Sequence, residues 1–281
     1  MSSVIPEAAA ETADLRSLYL DLLKKCLTFS LWGARDGAYR MYLEHPAKSF
    51  VKKVLGRGQG EEVDAAEALR RREEGLDWPK LAHTMIGKKR LDNLQQCMED
   101  VVRRGVPGDF IETGVWRGGA VIFMRGFLKA YGVTDRTVWV ADSFAGLPAP
   151  NAEKYPADQG DIHSLFDVLG VSLEEVQSNF EKYGLRDGQV KFLKGWFKDT
   201  LPKAPIEALA VVRLDGDLYE STMDGLSSLY PKLSVGGYLI VDDYGAVPGC
   251  KRAVEDYRRA QGILDPMTVI DAGGVYWQRT A

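Results

Sequence analysis

The stretch Asp109–Val121, DFIETGVWRGGAV, decides the reading of the fold. Apolar residues run into an acid, then into glycines, then into apolar residues again. A strand, a tight loop and a helix read this way when the loop cradles a nucleotide-like ligand. From Asp109 onward, short β-branched runs (DFIET, TVWVAD, VKFLKG, LAVVRLD, GYLIVDD, MTVIDA, GVYWQR) alternate with helical ones (GGAVIFMRGFLKAYG, SLEEVQSNFEKYG, STMDGLSSLYPKL, CKRAVEDYRRAQG). Ser172, with Glu175 three residues later, reads as a capping box at the start of the second helical run. Such alternation implies a mostly parallel sheet with helices on both faces. Only Ala272–Gly274 separates the last two runs, so they form a hairpin and one edge strand is antiparallel. The expected fold is α/β: a doubly wound, Rossmann-like sheet of seven strands with a mostly helical N-terminal extension.

Working outward, KKRLDNLQQCMEDVVRRG reads as an amphipathic helix with Leu91, Leu94, Cys97, Val101 and Val102 on or near one face, ended by Gly105 and Pro107. Upstream, Leu15 to Trp32 carries apolar residues at helical spacing, EEVDAAEALRRREEGLDW reads as a polar helix, and the basic Ala47–Gly60 reads as a surface loop. The expected division is a helical extension or lid over 1–82 and a ligand-binding domain over 83–281. A net charge of -4 argues against a nucleic-acid partner, and no apolar run is long enough to span a bilayer. The N-terminal MSSVIPEAAAETADL lacks a basic segment followed by an apolar core, and Cys26, Cys97 and Cys250 are odd in number and far apart. Both features suit a cytoplasmic protein. No spacing of these cysteines with His45, His83 and His163 reads as a zinc site.

The glycine loop narrows the ligand. A dinucleotide fingerprint needs glycine two residues after Gly114, where Trp116 stands, and a P-loop needs Gly-Lys-Ser/Thr where Arg117, Gly118 and Gly119 stand. What remains is Glu112, Gly114 and Gly118. The acid at the strand end suits an ammonium group, while Arg117 and the free amides of the helix start suit a carboxylate. Together they describe an amino acid. The second strand ends in Asp142 and Ser143, and 142 − 114 = 28 places Asp142 where nucleotide-binding βαβ units put a ribose-binding acid. An amino acid joined to a nucleoside is S-adenosylmethionine. Trp196, in KGWF after the third strand, stands where it flanks the adenine or packs in the core.

Two later strands end in acids: Asp215 with Asp217 two residues on, and Asp242 with Asp243. On adjacent parallel strands these carboxylates meet at the ligand face and repel one another unless a cation or protons compensate. An oxygen-only donor set of Asp215, Asp242 and Asp243 suits a hard cation such as Mg²⁺, Mn²⁺ or Ca²⁺. The alternative is that Asp217 and Asp243 are helix or turn caps. The Pro-, Ala- and Gly-rich stretch Ala145–Ser164 follows Asp142, where a lid would lie; His163 within it is not taken as a base.

HTMIGKKRLDNL, DFIETGVWRGGA, ADSFAGLP, LDGDLYEST and GYLIVDDYG, in that order, resemble the macrocin O-methyltransferase (TylF) family. The resemblance runs from about His83 to the end and is less clear before Pro79. It implies a class I methyltransferase fold, transfer of a methyl group from S-adenosylmethionine to a hydroxyl of a glycosylated antibiotic precursor, and use of Mg²⁺ held by Asp215, Asp242 and Asp243. It also implies Asp217 as general base and a homodimer or higher oligomer. A bound cation would lower the pKa of a sugar hydroxyl and orient it for in-line attack, with a carboxylate accepting the proton. Two rivals from other classes are a nicotinamide-dependent oxidoreductase, whose fingerprint Trp116 interrupts, and a non-catalytic nucleotide-binding protein, which has no need of four acids at adjacent strand ends.

Overall fold

Seven strands, β1 (Asp109–Thr113), β2 (Val138–Asp142), β3 (Val190–Lys194), β4 (Leu209–Leu214), β5 (Leu233–Val241), β6 (Thr268–Val269) and β7 (Val275–Gln278), form one sheet in the order β3-β2-β1-β4-β5-β7-β6. The structure is a computed structural model that describes residues 5–36 and 64–281. Strands β1 to β5 pair in parallel, and β7 runs antiparallel to both β5 and β6. The number of strands, their order along the chain and the terminal hairpin are those read from the alternation; β5 starts four residues before the run GYLIVDD, at Leu233, and β6 keeps only two residues of MTVIDA. After β1 the chain steps outward to β2 and β3, then returns to lay β4 on the other side of β1. The topological switch point therefore lies between β1 and β4, the position where open α/β sheets bind ligands.

Side-chain alternation along the strands builds two cores. Phe110, Val140, Val211 and Ile240 face one way and join a cluster with Leu91, Leu94, Met98 and Val101 of α3 (Lys88–Arg103) and Phe123 and Phe127 of α4 (Gly119–Ala130). The cluster takes in Leu20, Leu23 and Leu27 of α1 (Ile5–Leu27), and it is closed by Val176 and Phe180 of α5 (Leu173–Lys182). Ile111, Val212 and Leu239 face the other way, against Leu226 and Leu229 of α7 (Tyr219–Leu229) and Val254 and Tyr257 of α8 (Pro248–Gln261). Two shorter α-helices, α2 (Ala65–Glu73) and α6 (Phe197–Thr200), and several 3-10 turns complete the described elements.

The expected apolar face of α3 is buried with one change: Met98 belongs to it, and Val102 sits half-buried at its edge. Half of the expected capping box of α5 forms: the Glu175 amide donates to Ser172 Oγ at 3.1 Å, while the Glu175 carboxylate lies toward Arg117, 4.0 Å from its Nε. Helix α1 is bound tightly to the sheet domain. At Gly126 of α4 the Leu23 side chain of α1 packs into the space a side-chain carbon would take, its Cδ2 2.5 Å from that position. The basic stretch Ala47–Gly60 lies outside the described residues. No helix among the described residues is long and apolar enough to cross a membrane.

Candidate active site

Strand register alone assembles the centre of the site. Glu112 pairs laterally with Arg213, and Arg213 with Ile240. One step further the ladder continues past the strand ends: the Asp215 amide donates to Thr113 O and the Asp242 amide to Leu214 O, both at 2.9 Å. Gly114, Asp215 and Asp242 thus lie side by side across three strands at the switch point. A cleft of about 790 Å³, part of it open solvent, lies against this edge. Its walls include Gly114, Trp116, Asp142, Ser143, Trp196, Asp215 and Asp217.

The glycine loop reaches its shape through three left-handed residues, Gly114 (φ +77°), Trp116 (φ +47°) and Gly118 (φ +87°). Trp116 tolerates the strained conformation because its indole N–H donates to Val168 O at 2.9 Å. Asp142 ties the loop to β2, since its carboxylate accepts from the Val115 and Phe144 amides, each at 2.7 Å. Burial nonetheless pushes the Asp142 carboxyl above its ordinary range. Ser143 shapes the following turn, donating to Gly146 O at 2.7 Å and accepting from the Ala145 amide at 3.0 Å. Gly118 leaves room for Val176, whose Cγ1 would lie 2.9 Å from a side-chain carbon there.

Three of the donor-site candidates, Glu112, Arg117 and Gly118, do not line the cleft. Arg117 donates to the carbonyl oxygens of Lys80 (2.7 Å) and Ala82 (3.0 Å) and stacks over the Trp116 ring. Glu112 is 2% exposed; one of its oxygens accepts from Arg213 and the other has no partner among the described residues. Burial raises the Glu112 carboxyl to about 8. Trp196 is 40% exposed on the cleft wall, not packed in the core.

The acidic set converges as its strand positions require. One carboxylate oxygen from each of Asp215, Asp242 and Asp243 falls within 4.8 Å of the others. An oxygen-only set at that spacing matches the donors a hard divalent cation takes. Burial, with Asp242 close by, raises Asp215 to about 6, and burial together with neighbouring Asp217 and Asp215 lifts Asp243. Asp217 stands over the cleft in a left-handed conformation (φ +53°), its amide 3.3 Å from Asp243 Oδ2. Burial and Asp215 raise its carboxyl to about 7.

Sequence reasoning missed the cations and a latch. Arg213, 1% exposed, donates to Glu112, Asp215 and Asp242, and Arg90 of α3 donates to Asp242 Oδ2 at 2.5 Å and to Asp271 at 2.8 Å. The signal for Arg213 was present: an arginine within the apolar run LAVVRLD, on a strand buried on both faces, has to find carboxylates. Arg90 and its partners are 152 and 181 residues apart, a pairing that no local pattern announces. The latch is Asp158, 3% exposed, which caps α7 from the Ala145–Ser164 stretch by accepting from the Tyr219 (2.6 Å) and Glu220 (3.2 Å) amides. Further along, His163 Nδ1 lies 2.8 Å from Asp161 Oδ2, a hydrogen bond that raises the imidazole above its ordinary range.

The family model for macrocin-O-methyltransferase (TylF) matches residues 16–279. A demethyldecarbamoylnovobiocin O-methyltransferase of Streptomyces niveus is 53% identical over 277 residues, covering 98% of each chain. The 8-demethyl-8-(2,3-dimethoxy-alpha-L-rhamnosyl)-tetracenomycin-C 4'-O-methyltransferase of Streptomyces olivaceus is 53% identical over 271 residues, covering 96% of this chain and 95% of the relative. Among solved structures, the O-methyltransferase NovP superposes with a TM-score of 0.82 at 52% identity, covering 95% of this chain and all of that one.

Proposed function

The chain belongs to the macrocin-O-methyltransferase (TylF) family and is an O-methyltransferase of class I fold; from that premise we propose that it transfers a methyl group from S-adenosylmethionine to a sugar hydroxyl of a glycosylated natural product in antibiotic biosynthesis. Membership sets aside the nicotinamide oxidoreductase and the non-catalytic binder. The observation that carries the finer reading is the junction of two features in one cleft. Gly114 and Asp142, the donor-loop pair, face Asp215 and Asp217, and Asp215 is shared with the three-carboxylate cluster.

In this reading S-adenosylmethionine, when bound, would supply the electrophilic methyl carbon and leave as S-adenosylhomocysteine. Asp142 accepts from the ribose hydroxyls through the lone pairs that Val115 and Phe144 leave free, and Gly114 on the cleft wall, with the buried Glu112 two residues before it, marks the methionine end. Arg117, the Gly118 turn and Ser143 shape the loop around the donor, and Trp196 flanks the adenine. Asp215, Asp242 and Asp243 hold Mg²⁺, which when bound supplies the Lewis acidity that makes an alcohol acidic enough to react near neutral pH. Asp217, on the cleft wall beside the cluster, takes the hydroxyl proton. The acceptor is a small molecule, with neither nucleic acid nor membrane involved. The proposed division leaves 1–82 as an extension that helps close the site over the 83–281 domain.

A cytoplasmic homodimer is part of the same proposal. The three cysteines are free, and Leu15, Leu18 and Leu22 form an exposed apolar stripe on α1 suited to self-association. The test is incubation with labelled S-adenosylmethionine, Mg²⁺ and a panel of glycosylated natural products, read as a mass gain of one methyl that EDTA abolishes. Turnover that survives exhaustive chelation removes the cation from the reading, and a thermal midpoint unmoved by S-adenosylhomocysteine removes the donor.

A further inference from the structure

We propose that Arg90 and Arg213 are positioning residues for the cation site, clamping the Asp242 carboxylate by its two oxygens and turning it toward Asp215 and Asp243 before any cation arrives. The inference rests on the reading of Asp215, Asp242 and Asp243 as a cation site. Arg213 holds Asp242 Oδ1 from inside the sheet and also binds Asp215, so one guanidinium fixes two of the three carboxylates. Arg90 holds Asp242 Oδ2 from α3, on the far side. Each carboxylate oxygen has two acceptor positions, so a clamped Asp242 keeps lone pairs for a cation while losing its rotational freedom. All three side chains are at least 88% buried, which removes the water that would otherwise loosen the arrangement.

Arg90 is itself anchored. Asp271 accepts from its Nε at 2.8 Å and Nη2 at 3.1 Å, and the same carboxylate is fixed by the Gly273 and Gly274 amides. A side-chain carbon on Gly273 would meet Arg90 Nη2 at 2.3 Å, so the Ala272–Gly274 turn is shaped around this guanidinium. The clamp therefore joins α3, the β6–β7 turn and the ends of β4 and β5. It gives KKRLDNL and the paired glycines of the hairpin a task that neither the donor nor the acceptor explains.

The sign of one measurement decides the matter. Removing a positive charge beside a cation site tightens binding if net charge dominates, and weakens it if geometry dominates. Mn²⁺ affinity is read by electron paramagnetic resonance on the full chain without donor, for the wild type, Arg90→Gln and Arg90→Lys, each checked for native circular dichroism. The clamp predicts Mn²⁺ binding weakened about 10–100-fold in Arg90→Gln, the loss typical of a removed outer-shell partner. Arg90→Lys keeps the positive charge but cannot span Asp242 and Asp271 as the guanidinium does, and it should weaken binding in the same direction by a smaller factor, which keeps the test decisive if Arg90→Gln does not fold. Equal or tighter binding in the folded variants overturns the clamp. A wild type that binds no Mn²⁺ overturns the cation reading itself, a different result.

Discussion

The backbone of Gly114 lies directly on the carbonyl of Asp215: a side-chain carbon at position 114 would stand 1.7 Å from that oxygen. The first residue of the donor loop and a cation-site acid are thus in contact through main chain, which side-chain rearrangement cannot relieve. Gly114 also has φ +77°, a conformation that costs any other residue energy. Gly114→Ala should lower unfolding free energy by about 2 kcal/mol or more and weaken both S-adenosylhomocysteine and Mn²⁺ binding. Urea denaturation followed by calorimetry checks it, and loss of one ligand without the other would show that the two half-sites are not joined here.

Asp142 reports on the donor. Asp142→Ala removes the acceptor for the Val115 and Phe144 amides along with any ribose contact, so S-adenosylhomocysteine affinity should fall by about 1.5–3 kcal/mol or more, the range for hydrogen bonds to a charged group. A folded variant with wild-type affinity by calorimetry would refute its role as ribose ligand.

Asp217→Asn isolates the proposed base cleanly, because asparagine tolerates the left-handed backbone at φ +53° nearly as well as aspartate does. The expected result is a fall in kcat by a factor of about 10²–10⁴ with the Mg²⁺ midpoint unmoved. Asp215→Asn should instead raise the Mg²⁺ concentration needed for activity. If excess Mg²⁺ rescues Asp217→Asn, the roles of the two residues are exchanged.

Asp158 fastens the Ala145–Ser164 stretch to the start of α7, and the absence of a side chain at Gly249, where a carbon would lie 2.4 Å from Asp158 Oδ1, makes room for it. Asp158→Ala should cost about 1 kcal/mol, as lost helix caps do, and should speed proteolytic nicking within Ala145–Gly170. Asp158→Asn keeps one acceptor oxygen, for the shorter bond from Tyr219, and sets its NH2 against the Glu220 amide, so it should restore only part of both. Equal cleavage rates for wild type and Asp158→Ala would show that this bond does not hold the loop.

His83, hydrogen-bonded to the Tyr183 hydroxyl at 2.7 Å, is held down to about 4 by burial and by the nearby Lys182 and Arg117 charges, against an ordinary 6.5. The unfolded chain therefore takes up this proton first. The contribution to stability is complete above about pH 6.5 and is lost as pH falls toward about 4. Thermal midpoints at pH 7 and pH 5 should differ less for His83→Gln than for the wild type. An identical drop in both would place the acid sensitivity elsewhere.

The sequence by itself determined the sheet and the chemistry of its ligand edge. Strand–helix alternation forces parallel pairing, the three-residue Ala272–Gly274 connection forces a hairpin, and a parallel sheet sends Gly114, Asp142, Asp215 and Asp242 to one edge whatever else the chain does. These are short-range constraints, readable because each operates within a turn or a strand. Only the tertiary structure decided where the charges find their partners. Burial offers Asp242 no solvent, so its orientation depends on Arg213 one strand away and on Arg90, 152 residues distant. Likewise Arg117, next to the glycine turn, went to the carbonyl oxygens of Lys80 and Ala82. A guanidinium binds whichever acceptors the fold brings within its reach, and that choice is fixed by packing between elements, which residue order does not encode locally.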